Sequence, residues 1–275
     1  METHLKDKVV IITGASGGIG AEVARKFAKE GARLALHYRH GREQVNNLVE
    51  ELQTIEVLPV RADLTKEAEV KQLFAATMRR FGKVDTLIAN ASSWETREVP
   101  FERMSSRQWH KTLDNVLTCT FYSVREFLRI VARQRRGNLV LVGSTAAVFG
   151  EAGHADYAAS KAAVAYGLTR SLKNEIVRLA PHTRNYCGGR VNCVCPGWTV
   201  VPRLAAKLAD QKTIRKVTCT MALPQLGRPE DVANCVIFLS SDHLSRHLTG
   251  QTLVIAGGME GRRLWDEQEI ESGIV

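Results

Sequence analysis

Short apolar runs rich in β-branched residues alternate with longer amphipathic segments along almost the whole chain, and this alternation restricts the fold most. Strands are expected at residues 8–12, 33–37, 56–60, 84–89, 138–143, 190–195 and 252–255. Helical patterns separate them, for example at 19–30 and 66–80, with a polar helix running to about residue 53. Parallel neighbours need crossovers of this length, because no tight turn can join them. A parallel sheet is covered on both faces, which accounts for strands that are apolar throughout. The expectation is an α/β fold, a single-domain Rossmann-type doubly wound parallel sheet of about seven strands with helices on both faces, spanning 1–275. No linker, repeat or low-complexity tract interrupts it. Such sheets bind ligands beyond the carboxyl ends of their strands, where strand order reverses.

The first strand runs into Thr13-Gly14-Ala15-Ser16-Gly17-Gly18-Ile19-Gly20 and a helix starts at once. Gly14 suits the tight turn, Gly18 a close approach of pyrophosphate, and Gly20 close packing of helix on sheet. Unpaired N–H groups in the first helical turn favour phosphate. The spacing is G-x-x-x-G-x-G. At the end of the second strand an NAD site carries an acid for the ribose diol, but here the chain reads Tyr38-Arg39-His40. Arg39 offers a guanidinium fork to a 2′-phosphate, and Ser16 adds a hydroxyl. NADPH/NADP+ is therefore expected, with NADH less favoured.

Of five tyrosines, only Tyr157 has a lysine four residues on, Lys161. On a helix this spacing places both on one face. A phenol titrates near pH 10, and an adjacent ammonium lowers that value. Tyr157 follows the fifth strand, which delivers Ser144 at its end. Together these motifs resemble the short-chain dehydrogenase/reductase family over roughly residues 6 to 258, with 3-oxoacyl-(acyl-carrier-protein) reductases as the nearest type. Ser144, 13 residues before Tyr157, and Lys161 match the family pattern. So do Asp63 before Leu64 (the adenine site), Asn90 in Ala89-Asn90-Ala91-Ser92, Asn115, and the Pro196-Gly197 turn.

The resemblance implies a division of labour. Tyr157 exchanges a proton with the substrate oxygen, and Ser144 hydrogen-bonds that oxygen. Lys161 lowers the tyrosine's pKa and holds the nicotinamide ribose, while Asn115 links Lys161 through water to solvent. The cofactor set it implies is Gly14, Ser16, Gly18, Ile19, Gly20, Tyr38, Arg39, Asp63, Leu64, Asn90, Tyr157, Lys161, Pro196, Gly197 and Thr199. Three departures stand out. Ala89 and Ser92 replace an Asn and a Gly of the Asn-Asn-Ala-Gly motif, and Val201 stands where a threonine is usual. Residues 181–189 form an insertion, expected at the far end of the sheet from catalysis.

A substrate loop is expected from Trp198 to about Gln225, with Trp94, Phe149, His154 and Trp198 as pocket candidates. Its cations Arg203, Lys207, Lys212, Arg215 and Lys216 suggest either a solvated lid or docking of an acidic acyl-carrier protein. The reaction expected is reduction of a ketone, on 3-oxoacyl thioesters among others. Oxidation of an alcohol, polyol or steroid is the alternative, and a catalytically silent nucleotide sensor another. The net charge of +9 is concentrated at Arg125, Arg129, Arg133, Arg135 and Arg136, late in one helical pattern, where cations oppose the helix dipole. No aromatic interleaving accompanies it, so nucleic acid is not expected. No apolar run nears the roughly 18 residues that span a bilayer. No signal-peptide pattern is seen, and the six cysteines lack zinc-site spacing, so a reduced cytoplasmic protein without metal is expected. Leu264, Trp265 and Ile270, in the 259–275 extension, suggest a tail packed on a neighbouring subunit of a homotetramer or dimer.

Overall fold

A computed structural model of the chain describes residues 2–205 and 209–263. Lys207 and the tail residues Leu264, Trp265 and Ile270 lie outside the described residues. Seven strands form one sheet: β1 (Val9–Ile12), β2 (Arg33–Tyr38), β3 (Val57–Arg61), β4 (Thr86–Ala89), β5 (Asn138–Val142), β6 (Arg190–Pro196) and β7 (Thr252–Ile255). Their order is β3-β2-β1-β4-β5-β6-β7, with every pair parallel. The expected strands are all present; β7 matches to the residue and the other six differ by a residue or two at an end. The Lys8 amide, for instance, bonds back to the Leu5 carbonyl, so pairing starts at Val9.

Alternation along each strand feeds two cores. Val10, Ile12, Leu34, Leu36, Val140 and Val142 face α1 (Gly18–Lys29), α2 (Arg42–Glu51) and the last helix, α10 (Pro229–Ser240). Ile11, Leu87, Leu139 and Leu141 face α3 (Glu67–Phe81), α5 (Cys119–Gln134) and α8 (Thr169–Leu179). The short α6 (Ala146–Phe149) follows β5, and α9 (Gln211–Thr218) lies in the segment after β6.

Two helices that carry site residues contain wide turns. α4 (Ser106–Leu113) passes through a π-helical stretch, Asp114–Thr118, into α5. α7 (Ala155–Ala162) passes through another, Ala163–Leu168, into α8. Such stretches reset the phase of a helix at little cost and occur at functional sites.

The insertion at 181–189 sits at the amino ends of β5 and β6, as expected. The Tyr186 hydroxyl accepts from the Gly137 amide at 2.9 Å and donates to the Gly137 carbonyl at 3.1 Å. Arg136 stacks on the Tyr186 ring. Buried Arg190 donates to the carbonyls of Leu239, Ser241 and Ser245 and to Asp242, closing this end. In the arginine-rich part of α5, Arg125 pairs with Glu67 at 2.8 Å and Arg129 with Glu126, while Arg133 is exposed.

Phe127 on α5 is fully buried between α5 and the sheet. Phe127→Ala is expected to cost about 3–5 kcal/mol, measured as a lower urea midpoint at an unchanged m-value.

Candidate active site

Strand order reverses between β1 and β4, and the crevice there is tied shut at its floor. The Thr13 hydroxyl accepts from the amides of Asn90 and Ala91 at 2.9 and 3.0 Å and donates to the Ile88 carbonyl. The Asn90 carboxamide donates to the carbonyls of Thr13 and Gly14 at 2.9 and 3.2 Å. Gly14 takes the left-handed conformation, φ +68°, and a Cβ on Gly20 would strike the Gly14 carbonyl. A third contact was not foreseen. His37, on β2, accepts from the Gly14 amide at Nδ1 (3.0 Å) and donates from Nε2 to the Ala62 carbonyl (2.9 Å). An imidazole in an otherwise apolar strand, beside a glycine turn, is the signal that could have marked it.

Above this floor lies a cavity of about 420 Å³. Gly14, Ser16, Gly18, Ile19 and Gly20 line it, with His37, Arg39, Asp63, Leu64, Asn90 and Asn115. α1 begins at Gly18 with no side-chain cap and no acid in its first turn, so its leading amides and positive dipole end remain available to an anion. This arrangement fits a dinucleotide diphosphate. Tyr38 does not join it. It points the opposite way from His37, as neighbours on a strand must, and packs on the α1 side of the core. Arg39 reaches across the cavity, with Nη2 2.9 Å from the Asp63 carboxylate and Nη1 donating to the Asn115 Oδ1 at 3.0 Å. Burial works to raise the Asp63 carboxyl, but hydrogen bonds from Thr65 and the Arg39 charge hold it below its usual range.

A second cavity, about 170 Å³, adjoins the first and shares Ile19, Asn90, Trp94, Val201 and Arg203 with it. Ser144, Tyr157 and Lys161 line it, together with Pro196, Gly197 and Thr199. Ser144 follows β5, while Tyr157 and Lys161 share one face of α7. Lys161 is buried, donates from Nζ to the Val142 carbonyl at 2.7 Å, and lies 5.8 Å from the centre of the Tyr157 ring. Burial pushes the Tyr157 phenol well above the ordinary tyrosine range, a hydrogen bond with Ser144 opposes that, and Glu151 and Arg203 act in opposite senses. Burial also lowers Lys161. The groups that act on the phenol besides burial are thus Ser144, Glu151 and Arg203, while the Lys161 ammonium is directed at the Val142 carbonyl. Asn115, at the start of the wide-turn stretch, has both ends of its carboxamide engaged. Its Oδ1 is taken by Arg39 and its Nδ2 donates to the Lys111 carbonyl at 2.7 Å.

Val201 occupies the space against Gly18, where an added Cβ would stand 2.8 Å from its Cγ1. Thr199 turns its hydroxyl to the Gly197 carbonyl, 3.0 Å away. Trp94 stacks on Tyr157 with ring centroids 4.2 Å apart, and Trp198 also lines the small cavity. His154 is buried behind, contacting Glu151 and the Thr96 carbonyl, and Phe149 is exposed beside Gly261, so neither joins the lining. Cys193 and Cys195 share a face as expected, their sulfurs filling the space at Gly143. All six cysteines are free, and no metal-holding cluster occurs among the described residues.

A family model described as enoyl-(acyl carrier protein) reductase matches residues 14–260. The 3-oxoacyl-(acyl-carrier-protein) reductase FabG of Staphylococcus aureus strain N315 is 32% identical over 254 residues, 92% of this chain and 98% of that protein. The counterpart from Staphylococcus epidermidis is 32% identical over 255 residues, covering 92% and 99%. The 3-oxoacyl-(acyl-carrier-protein) reductase of Synechocystis is 29% identical over 259 residues, covering 94% and 98%.

Burial lowers His37 from 6.5 to about 4 in the folded chain. As pH falls from 6.5 towards 4, the unfolded chain takes a proton that the folded chain refuses, so stability drops by up to about 3 kcal/mol and then levels. His37→Asn, whose carboxamide oxygen can still accept from Gly14, is expected to flatten that part of the profile in urea melts run across this range.

Proposed function

The chain belongs to the short-chain dehydrogenase/reductase family, and from that premise we propose that it reduces a ketone to a secondary alcohol with NADPH. The observation that carries this reading is the convergence of Ser144, Tyr157 and Lys161 on one cavity that opens into the glycine-turn cavity. When bound, the nicotinamide cofactor supplies the hydride. The glycine turn and the first amides of α1 hold its diphosphate, and Asp63 and Leu64 flank its adenine. Lys161 holds the nicotinamide ribose, beside Pro196, Gly197 and Thr199. Arg39 and Ser16 receive the 2′-phosphate. In doing so Arg39 leaves the Asn115 carboxamide, which is then free to relay protons towards Lys161.

Tyr157 gives its proton to the substrate oxygen while Ser144 stabilises the charge developing there. Burial raises the Tyr157 phenol, and the protonated form is the one that reduction of a carbonyl requires. The preference for NADPH rests on Arg39 and on the lack of an acid at the end of β2. The 3-oxoacyl thioesters named for the relatives are the first substrates to assay, and exposed Lys212 and Lys216 on α9 suit an acidic carrier. No helix among the described residues is long and apolar enough to cross a membrane, and the free thiols suit a cytoplasmic setting. Exposed Phe121, Val177 and Val254 favour a symmetric homo-oligomer, a tetramer or dimer.

Tyr157→Phe is expected to lower kcat by about 10²- to 10⁴-fold while NADPH still binds, read by NADPH absorbance and by fluorescence titration. Arg39→Leu is expected to lower the NADPH-over-NADH ratio of kcat/KM by roughly 10- to 100-fold. Equal use of the two cofactors by the unaltered enzyme would refute the 2′-phosphate assignment.

A further inference from the structure

The small cavity is compact and mixed in character. Trp94, Trp198 and Tyr157 give it aromatic walls, and Glu151 and Arg203 bring opposite charges to its lining. Arg203 belongs to a short 3₁₀ turn, Pro202–Leu204, within the basic segment after β6. It is exposed, as Lys212 and Lys216 are, but unlike them it lines both cavities. Its guanidinium carbon lies 4.0 Å from the centre of the Trp94 ring, and Nη2 donates to the Trp94 carbonyl at 2.9 Å. Trp94 in turn stacks on Tyr157. Guanidinium, indole and phenol thus form three successive layers, the last of them the proton donor. Among the described residues no carboxylate pairs with Arg203, although it lines both cavities.

A guanidinium over an indole, with Nη2 given to the Trp94 carbonyl, leaves its other N–H groups for an anion in the cavity. Such groups bind carboxylate or phosphate through charge-assisted hydrogen bonds. Glu151 on the same lining repels an anion placed near it, so a charged substrate gains most by lying with its anion at Arg203. We propose that Arg203 is a specificity-determining residue: it receives an anionic group carried by the substrate, a carboxylate or phosphate ester, several bonds from the ketone that lies at Tyr157 and Ser144. This rests on the ketone-reductase reading and narrows its substrate class to compact carbonyl compounds that carry their own charge. The other anion within reach is the cofactor diphosphate. The stacking through Trp94 to the phenol favours the substrate.

The test compares acids with their methyl esters, using 4-oxopentanoate and 6-oxoheptanoate with NADPH as reductant. The enzyme, Arg203→Met and Arg203→Lys are each assayed at low and high salt, and NADPH affinity is titrated for all three. The unaltered enzyme is expected to favour at least one acid over its ester by about 10- to 100-fold in kcat/KM, less so at high salt. Arg203→Met is expected to lose that ratio and Arg203→Lys to keep part of it, since an ammonium retains the charge without the fork. A ratio near one in the unaltered enzyme, or one unchanged in Arg203→Met, overturns the proposal. So does a tenfold loss of NADPH affinity in Arg203→Met with the ratio intact, which would assign the guanidinium to the cofactor. Brisk turnover of neutral ketones or thioesters without acid preference would leave the reductase reading standing and remove only the anion site. No NADPH consumption with any carbonyl compound would remove both.

Discussion

The site is organised around the knot of hydrogen bonds that joins the ends of β1 and β4. At this point the chain stops adding strands on one side of β1 and begins adding them on the other, so two loops must diverge and leave a gap. Diverging backbones expose polar groups with no sheet partner, and such groups are costly if left unpaired. Thr13 and Asn90 satisfy them across the gap, and His37 does the same from the β2 side. The crevice is therefore fixed before anything binds in it. The glycine turn, the start of α1 and the loop that leads to Trp94 all inherit their positions from it.

On that floor, electrostatics is governed by burial more than by charge pairing. Tyr157 and Lys161 lie under the same cover and each is pushed towards its neutral form. The groups that temper this are the Ser144 hydroxyl near the phenol and the Val142 carbonyl at the ammonium. Fixed dipoles of this kind need no rearrangement as charge develops. The π-helical stretches Asp114–Thr118 and Ala163–Leu168 lie in the helices that carry Asn115 and the Tyr157–Lys161 pair into the core helices.

Much of the scaffold was legible in the sequence because it depends on local pattern. Strands built on long apolar runs announce a sheet buried on both sides, and the expected bounds of β7 match the structure to the residue. The glycine turn and the Tyr157–Lys161 spacing were legible for a similar reason, as each is a short-range geometric requirement. What escaped notice depends on contacts distant in sequence. His37 gains its role from Gly14 and Ala62, 23 and 25 residues away. Arg39 chooses Asp63 and Asn115 as partners, the latter 76 residues on. Tyr38 looked like a ligand-contacting residue because it ends a strand, yet alternation turns it to the core. Arg203 read as one surface cation among several, and only the fold lays it on Trp94, 109 residues earlier.

The Tyr186–Gly137 and Arg190–Asp242 contacts lie at the opposite pole of the sheet from both cavities. Cohesion and selectivity are thereby assigned to separate ends of the same strands. Loops at the open pole can exchange one ligand-contacting side chain for another while the sealed pole keeps the strands in register. A scaffold divided in this way can diversify what it recognises without renegotiating how it folds.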